Sequence, residues 1–276
     1  MTALIIAFAV ACLFVAIWIF LVAPASESTK AFPDSLNASY AHRGLYGGDV
    51  PENSMAAFEA ARDAGLGIEL DIRLTRDGEV VVFHDDTILR MCGMDVPVSD
   101  FNYDELILFP LKDTDQRVPR LVDVLSLVDG AVPLLIELKG ANGDMALCEK
   151  AARILDGYNG SFCIESFNPL LLSYFKKHRP GIVRGQLVTL LDKEEYSGPS
   201  IVRFALSHML LNVFSRPHFI AYDLHKNPKY AVEFATKTLG AARFAWTIRS
   251  PKEYLALTKE GISPIFEHFD PTDVEE

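Results

Sequence analysis

The sequence predicts an α/β fold of the TIM-type (β/α)8 class, with a small insertion after the second or third strand and one transmembrane helix in front. Three observations carry this expectation. Short β-rich runs alternate with longer helical patterns, which indicates βαβ units and a parallel sheet. The 251 residues beyond position 25 match the usual size of one such barrel. Ahead of them, Ala3–Ala23 runs for 21 residues without a charge, enough to cross a hydrocarbon core of about 30 Å as a helix.

Nothing basic precedes that run, and Pro24 spoils the small-residue pattern of a cleavage site. Residues 1–25 therefore read as an uncleaved anchor rather than a signal peptide, which predicts a single-pass protein of the cell membrane. The side of the membrane stays open, because Lys30 is the only basic residue close to the run. Residues 26–39 are polar and proline-punctuated and read as a linker, and 40–276 as the barrel domain.

Within that domain the strand candidates are Ala38–His42, Gly67–Ile72, Val80–His84, Pro133–Leu138, Phe162–Glu165, Ile182–Leu187, Phe219–Asp223, Arg243–Ile248 and Ser263–Phe266. Helical patterns fall at Ser54–Ala64, Asp144–Leu155, Pro169–His178, Val202–Val213 and Pro228–Leu239. The gap between Ile72 and Val80 is too short for a helical crossover and contains Asp77-Gly78, so those two strands should form an antiparallel hairpin. Residues 86–119 show weak periodicity and read as an insertion packed over one end of the barrel. The stretch Phe204–Phe219 is apolar almost all round, which predicts a buried barrel helix; a greasy lid near a bilayer is the sharper alternative.

The net charge of −11 lies entirely beyond Pro24. It argues against nucleic acid, which calls for a basic stripe, and a small anionic substrate then needs a local cation. Cys12 falls in the anchor, and Cys92, Cys148 and Cys163 have no motif spacing, so neither a disulfide framework nor a zinc site is expected.

The chemistry concentrates between Ala41 and Asp85. Glu69 and Asp71 are two apart on a strand and share a face, while Ile68, Leu70 and Ile72 point the other way. With Glu137 at the end of a later strand they can grip a hard divalent cation, Ca2+ or Mg2+, since oxygen-only ligation disfavours zinc. The plainer reading is acids lining a solvated mouth, paired with Arg43 or Lys139. His42 and His84 each end a β-rich run, and two imidazoles facing a phosphodiester can serve as base and acid. Arg43 and Lys139 offer fixed positive charge to phosphate oxygens. Asn53 reads as the N-cap of the helix starting at Ser54, although a loop after a barrel strand can also reach the site.

Taken in order, Ala41-His42-Arg43-Gly44, Pro51-Glu52-Asn53-Ser54, Glu69-Leu70-Asp71, Thr75-Arg76-Asp77-Gly78, His84-Asp85 and Glu137-Leu138-Lys139 resemble the glycerophosphodiester phosphodiesterase family, with Ser166-Phe167 and Trp246-Thr247 also in place. The resemblance spans roughly Tyr40 to Trp246. It implies a TIM-type barrel, His42 and His84 as the acid/base pair, and Glu69, Asp71 and Glu137 as ligands of Ca2+ or Mg2+. It further implies Arg43, Lys139, Asn53 and Trp246 as substrate contacts. Two departures touch the glycerol or leaving-alcohol contacts: Glu165 stands where an uncharged residue is common, and the last strand ends Ile265-Phe266-Glu267-His268 instead of the family's Thr-Asp pattern. The implied reaction is hydrolysis of a glycerophosphodiester to sn-glycerol 3-phosphate and an alcohol. A lysophospholipase D, or a phospholipase forming a cyclic phosphate, would use the same residues on a lysophospholipid. A catalytically silent, membrane-tethered binding module is the non-enzymatic alternative.

Overall fold

Period-two alternation is visible along every long strand of the computed structural model, which describes residues 1–26, 32–140 and 145–271. The strands are β1 (Tyr40–Ala41), β2 (Gly67–Leu74), β3 (Val80–Val82), β4 (Leu134–Leu138), β5 (Phe162–Ser166), β6 (Arg184–Val188), β7 (Phe219–Asp223), β8 (Ala242–Ile248) and β9 (Ser263–Phe266). All except β3 are parallel, and the ring closes because Tyr40 pairs with both Gly67 and Ile265. This is the eight-stranded barrel expected. β3 hangs outside the ring, antiparallel to β2 with Ile72 opposite Val82, as the short gap and the Asp-Gly turn predict.

Two apolar populations follow from the alternation. Tyr40, Leu135, Cys163, Leu187, Phe219, Phe244 and Ile265 point inward and fill the barrel. Their outward neighbours, among them Ile68, Leu70, Ile136 and Ile164, pack under the helices. In chain order the helices are α1 (Thr2–Val22), α2 (Met55–Asp63), α3 (Leu89–Cys92), α4 (Tyr103–Leu106), α5 (Leu121–Val128), α6 (Met145–Leu155), α7 (Pro169–His178), α8 (Ser200–Ser207), α9 (Asn212–Ser215), α10 (Lys229–Glu233) and α11 (Pro251–Lys259). The expected start of α6 at Asp144 lies outside the described residues.

Four expectations need adjustment. The helix predicted over Val202–Val213 is two helices, because Met209 adopts a left-handed φ of 58° between α8 and α9. Its second half packs on α1 and α7, so it is no lid over the mouth, and Phe204 and Phe214 are exposed rather than buried. α5 goes unpredicted although Leu121, Val124, Leu125 and Val128 bury one face at helical spacing. The described part of the linker is no free tether: Phe32 meets Phe219 and Phe244 edge-on at 5.9 and 5.8 Å, and buried Leu36 helps close the barrel floor. The insertion after β3 owns a small core of Val81, Phe83, Ile88, Met91, Val98, Leu106, Leu111 and Val118. All four cysteines are free.

α1 is apolar along its whole length and almost entirely exposed. Its C-terminal end touches the barrel, opposite the strands' C-termini: Trp18 meets Phe234 at 4.8 Å, and Asn212 Nδ2 donates to the Val22 carbonyl at 3.1 Å.

Candidate active site

At the C-terminal ends of the strands the inward positions change from apolar to charged. Register puts Asp71 beside Glu137 and Glu137 beside Glu165, so three neighbouring strands present carboxylates at one level, with Glu69 one layer below Asp71. All four are buried. Oxygens of Glu69, Asp71 and Glu137 lie within 4.8 Å of one another. The three acids expected to converge therefore do so.

Cations balance only part of this charge. Lys139 Nζ lies 2.8 Å from Glu137 and 3.3 Å from Asp71, and Arg43 Nε is 3.4 Å from Asp71. Burial alone would raise the Asp71 carboxyl, but Lys139, His84, Arg43 and His42 together pull it below the ordinary range. Burial, reinforced by Asp71, Glu137 and Glu165, holds Glu69 well above its usual range. Glu137 is pushed up to about 7, by burial first and against the pull of Lys139. Glu165 is raised by burial and by Glu137, and its Oε2 is buried without a hydrogen-bond partner. Such a ring carries more negative charge than its fixed cations neutralise.

His42 follows β1 and His84 follows β3. Each ring places Nδ1 against a carboxylate, His42 on Glu267 at 2.5 Å and His84 on Asp85 at 2.7 Å. An ionised carboxylate only accepts, so each neutral ring carries its proton on Nδ1 and leaves the Nε2 lone pair for other partners. For His42 that atom lies 4.0 Å from Glu69. Burial lowers both imidazoles, His84 to about 4.

The loop after β1 explains the His-Arg-Gly run. Gly44 has φ +82°, and a Cβ there would lie 2.8 Å from the Ala57 backbone, so only glycine lets α2 approach. The backbone N–H of Arg43 donates to Glu69 at 2.8 Å. Asn53 is not the N-cap; that is Ser54, whose hydroxyl accepts from Ala57 N at 3.2 Å. Held at a left-handed φ of 53°, Asn53 instead turns its amide inward and donates to Asp71 at 2.8 Å. Trp246 donates from Nε1 to the Ala221 carbonyl at 3.0 Å and, with Phe167, lines a cavity of about 270 Å3 that also takes in His42, His84, Lys139 and Glu137.

Sequence reasoning does not single out Glu267, Tyr46, Glu52 or Arg90 as parts of the site. Glu267 accepts from His42 and Tyr46 on one oxygen and from Arg249 on the other. The available signal is positional: a carboxylate just after β9, whose neighbour in the ring carries His42. Glu52 receives Arg43 at 2.6 Å and Arg90 at 2.7 Å, and Arg90 reaches on to Asp85. A continuous charge network thus joins the His84 side to the Asp71 side.

Comparison with known proteins places this geometry. The model of the glycerophosphoryl diester phosphodiesterase family matches residues 42–270. The chain belongs to that family. Its members include a glycerophosphodiester phosphodiesterase of Caldanaerobacter subterraneus subsp. tengcongensis, 32% identical over 243 residues that cover 82% of this chain and 91% of the relative. Human lysophospholipase D GDPD1 is 32% identical over 137 residues, covering 45% of this chain and 42% of its own. Among solved structures, the Thermotoga maritima glycerophosphodiester phosphodiesterase superposes with a TM-score of 0.62 at 27% identity, over 83% of this chain and 93% of that one. An Oleispira antarctica phosphodiesterase in complex with the product sn-glycerol-3-phosphate has a TM-score of 0.68 at 24% identity, over 83% and 92%. As a glycerophosphodiester phosphodiesterase family member, the chain is a phosphodiesterase.

Proposed function

We propose that the chain hydrolyses glycerophosphodiesters to sn-glycerol 3-phosphate and an alcohol, with His42 and His84 carrying the protons. The observation that supports this reading is the pairing of each imidazole's Nδ1 with its own carboxylate inside one cavity that also holds the acid cluster. One histidine takes the proton of the attacking hydroxyl on its free Nε2, and the other, once the anionic phosphate has drawn a proton onto its Nε2, delivers that proton to the departing alkoxide. Arg43 and Lys139 steady the phosphate oxygens. Asn53 holds Asp71 in place, and Trp246 with Phe167 walls the cavity.

Glu69, Asp71 and Glu137 fit a divalent cation, Ca2+ or Mg2+, because their oxygens converge and two of the three are held at an unfavourable charge without one. When bound, such an ion neutralises phosphate charge and orients the substrate. The residues around it do the rest.

A second reading, hydrolysis of lysophospholipids, is favoured by one feature. A groove of about 600 Å3, predominantly apolar, adjoins the catalytic cavity through His84, Phe167, Leu187 and Trp246 and continues past Val188, Leu191 and Leu206. An alkyl-bearing substrate arm would fill it. α1 supports a membrane location, as a helix long and apolar enough to span.

The test is product analysis on glycerophosphocholine, glycerophosphoethanolamine and lysophosphatidylcholine, with and without EDTA. We expect glycerol 3-phosphate from the first two, loss of turnover on chelation, and recovery with Ca2+ or Mg2+. Full activity in excess EDTA removes the metal assignment, and product from lysophosphatidylcholine alone makes the second reading the first.

A further inference from the structure

The last turn of α1 and the barrel enclose a cleft of about 670 Å3, with Phe20, Ala23 and Pro24 on one side and Lys176, Arg184 and Arg216 on the other. Three cations gathered at one spot are unusual in a chain of net charge −11. Lys176 Nζ donates to the carbonyls of Val213 and Phe214 at 3.2 and 3.1 Å, and Arg216 donates to those of Phe20 and Ala23 at 2.8 and 2.9 Å. Among the described residues neither forms an ion pair with a carboxylate. The neighbouring charges that act on Lys176 are those of Arg216 and Arg184, both repulsive. Arg184 is buried, with Nε donating to the Ser215 carbonyl at 2.7 Å.

These cations sit where the apolar helix ends. Upstream, Leu4, Phe8 and Phe14 are 77, 73 and 68% exposed, surface that water does not favour. The Arg216 guanidinium lies 4.8 Å from the Phe20 ring centre and so ties the helix end to the barrel. If α1 lies in hydrocarbon, Lys176 and Arg216 stand at the depth of the lipid phosphates.

We propose that this cleft binds the phosphate of an anionic membrane lipid, in the leaflet where α1 ends. The inference rests on the reading of α1 as a membrane anchor. Lys176 and Arg216 supply the charge, the carbonyl contacts hold them in place, and Phe20, Ala23 and Pro24 meet the upper acyl carbons. The bound lipid seats the strands' N-terminal end on the bilayer, so the catalytic mouth faces away from it.

The experiment uses the full chain in neutral detergent micelles, titrated with dioleoylphosphatidylglycerol or dioleoylphosphatidylcholine, with bound lipid counted by native mass spectrometry. Phosphatidylglycerol should bind preferentially. Lys176→Gln should weaken that binding about fivefold, the effect of one cation near an anionic surface. Lys176→Arg should retain it, and turnover of a soluble diester should not change. Lys176→Met, which keeps the apolar stem, serves if the glutamine variant fails to fold. Equal occupancy by the two lipids, or phosphatidylglycerol binding indifferent to both neutral variants, overturns the proposal. Alkaline carbonate washing of membranes bearing the full chain separates the two readings. Release to the supernatant sinks the anchor and the cleft together, whereas retention without lipid preference sinks the cleft alone.

Discussion

Replacing Glu267 by glutamine removes one charge while keeping the shape. The three side chains that hydrogen-bond to Glu267 all donate: His42 Nδ1 at 2.5 Å, Tyr46 Oη at 2.8 Å and Arg249 Nε at 2.7 Å. An amide offers only one accepting oxygen, so its NH2 must face a donor on one side or the other. With Arg249 claiming the oxygen, His42 loses its acceptor and its fixed tautomer. A hydrogen bond to a charged group contributes about 1.5–3 kcal/mol, so kcat should fall about 10- to 150-fold. Glu267 also raises the His42 pKa against burial, so the limb of the pH–rate profile set by His42 should move to lower pH. Glu267→Asp keeps the charge and should lie between the two. The assay is kcat and kcat/KM on glycerophosphocholine from pH 5 to 9, beside thermal melts that establish folding. A folded Glu267→Gln enzyme with kcat within twofold of the parent, and an unmoved profile, would falsify the orienting role.

Two further outcomes concern stability. At Gly185 a Cβ would lie 2.0 Å from the Phe219 ring, which is fully buried and 4.3 Å from Phe244. Gly185→Ala should therefore cost about 1–3 kcal/mol and lower Tm by several degrees, and an unchanged Tm would show that the barrel interior can yield. His218 accepts from Arg184 N at 3.2 Å, and burial followed by the Arg184 charge lowers its pKa to about 4. The unfolded chain takes up that proton first, so this contribution is complete above about pH 6.5 and drains away as pH falls toward 4. The slope is below about 1.4 kcal/mol per pH unit, the limit for one whole proton, because solvent screens the ring's open edge. Denaturant midpoints at pH 7 and 4.5 should converge in His218→Gln; an equal drop in parent and variant contradicts the account.

The fold is readable in the sequence wherever one face of an element decides its burial. β2 and β4 declare themselves through Ile68, Leu70 and Ile136 facing the helices while Glu69, Asp71 and Glu137 face the axis. The hairpin to β3 is legible because the seven residues between Ile72 and Val80 are too few for a helical crossover and contain an Asp-Gly turn. Contacts fixed by distant pairing are harder to read. Glu267 finds His42 across 225 positions, and only its place just after the last strand marks it. The break between α8 and α9 depends on Met209 in a left-handed conformation that methionine rarely adopts, so propensity points the wrong way. Asn53 and Ser54 are both good caps, and one residue separates a structural role from a place in the site.

The two imidazoles belong to different mechanical parts of the molecule. His42 is bolted to the closed ring of strands, whereas His84 stands on a ledge beyond β3, clamped through its carbonyl by Arg73 at 2.8 and 3.0 Å. Exchanging or resizing the ledge therefore leaves the ring's hydrogen bonding intact. On the proposed assignment, one half of the proton machinery can diversify with the substrate while the other stays constant.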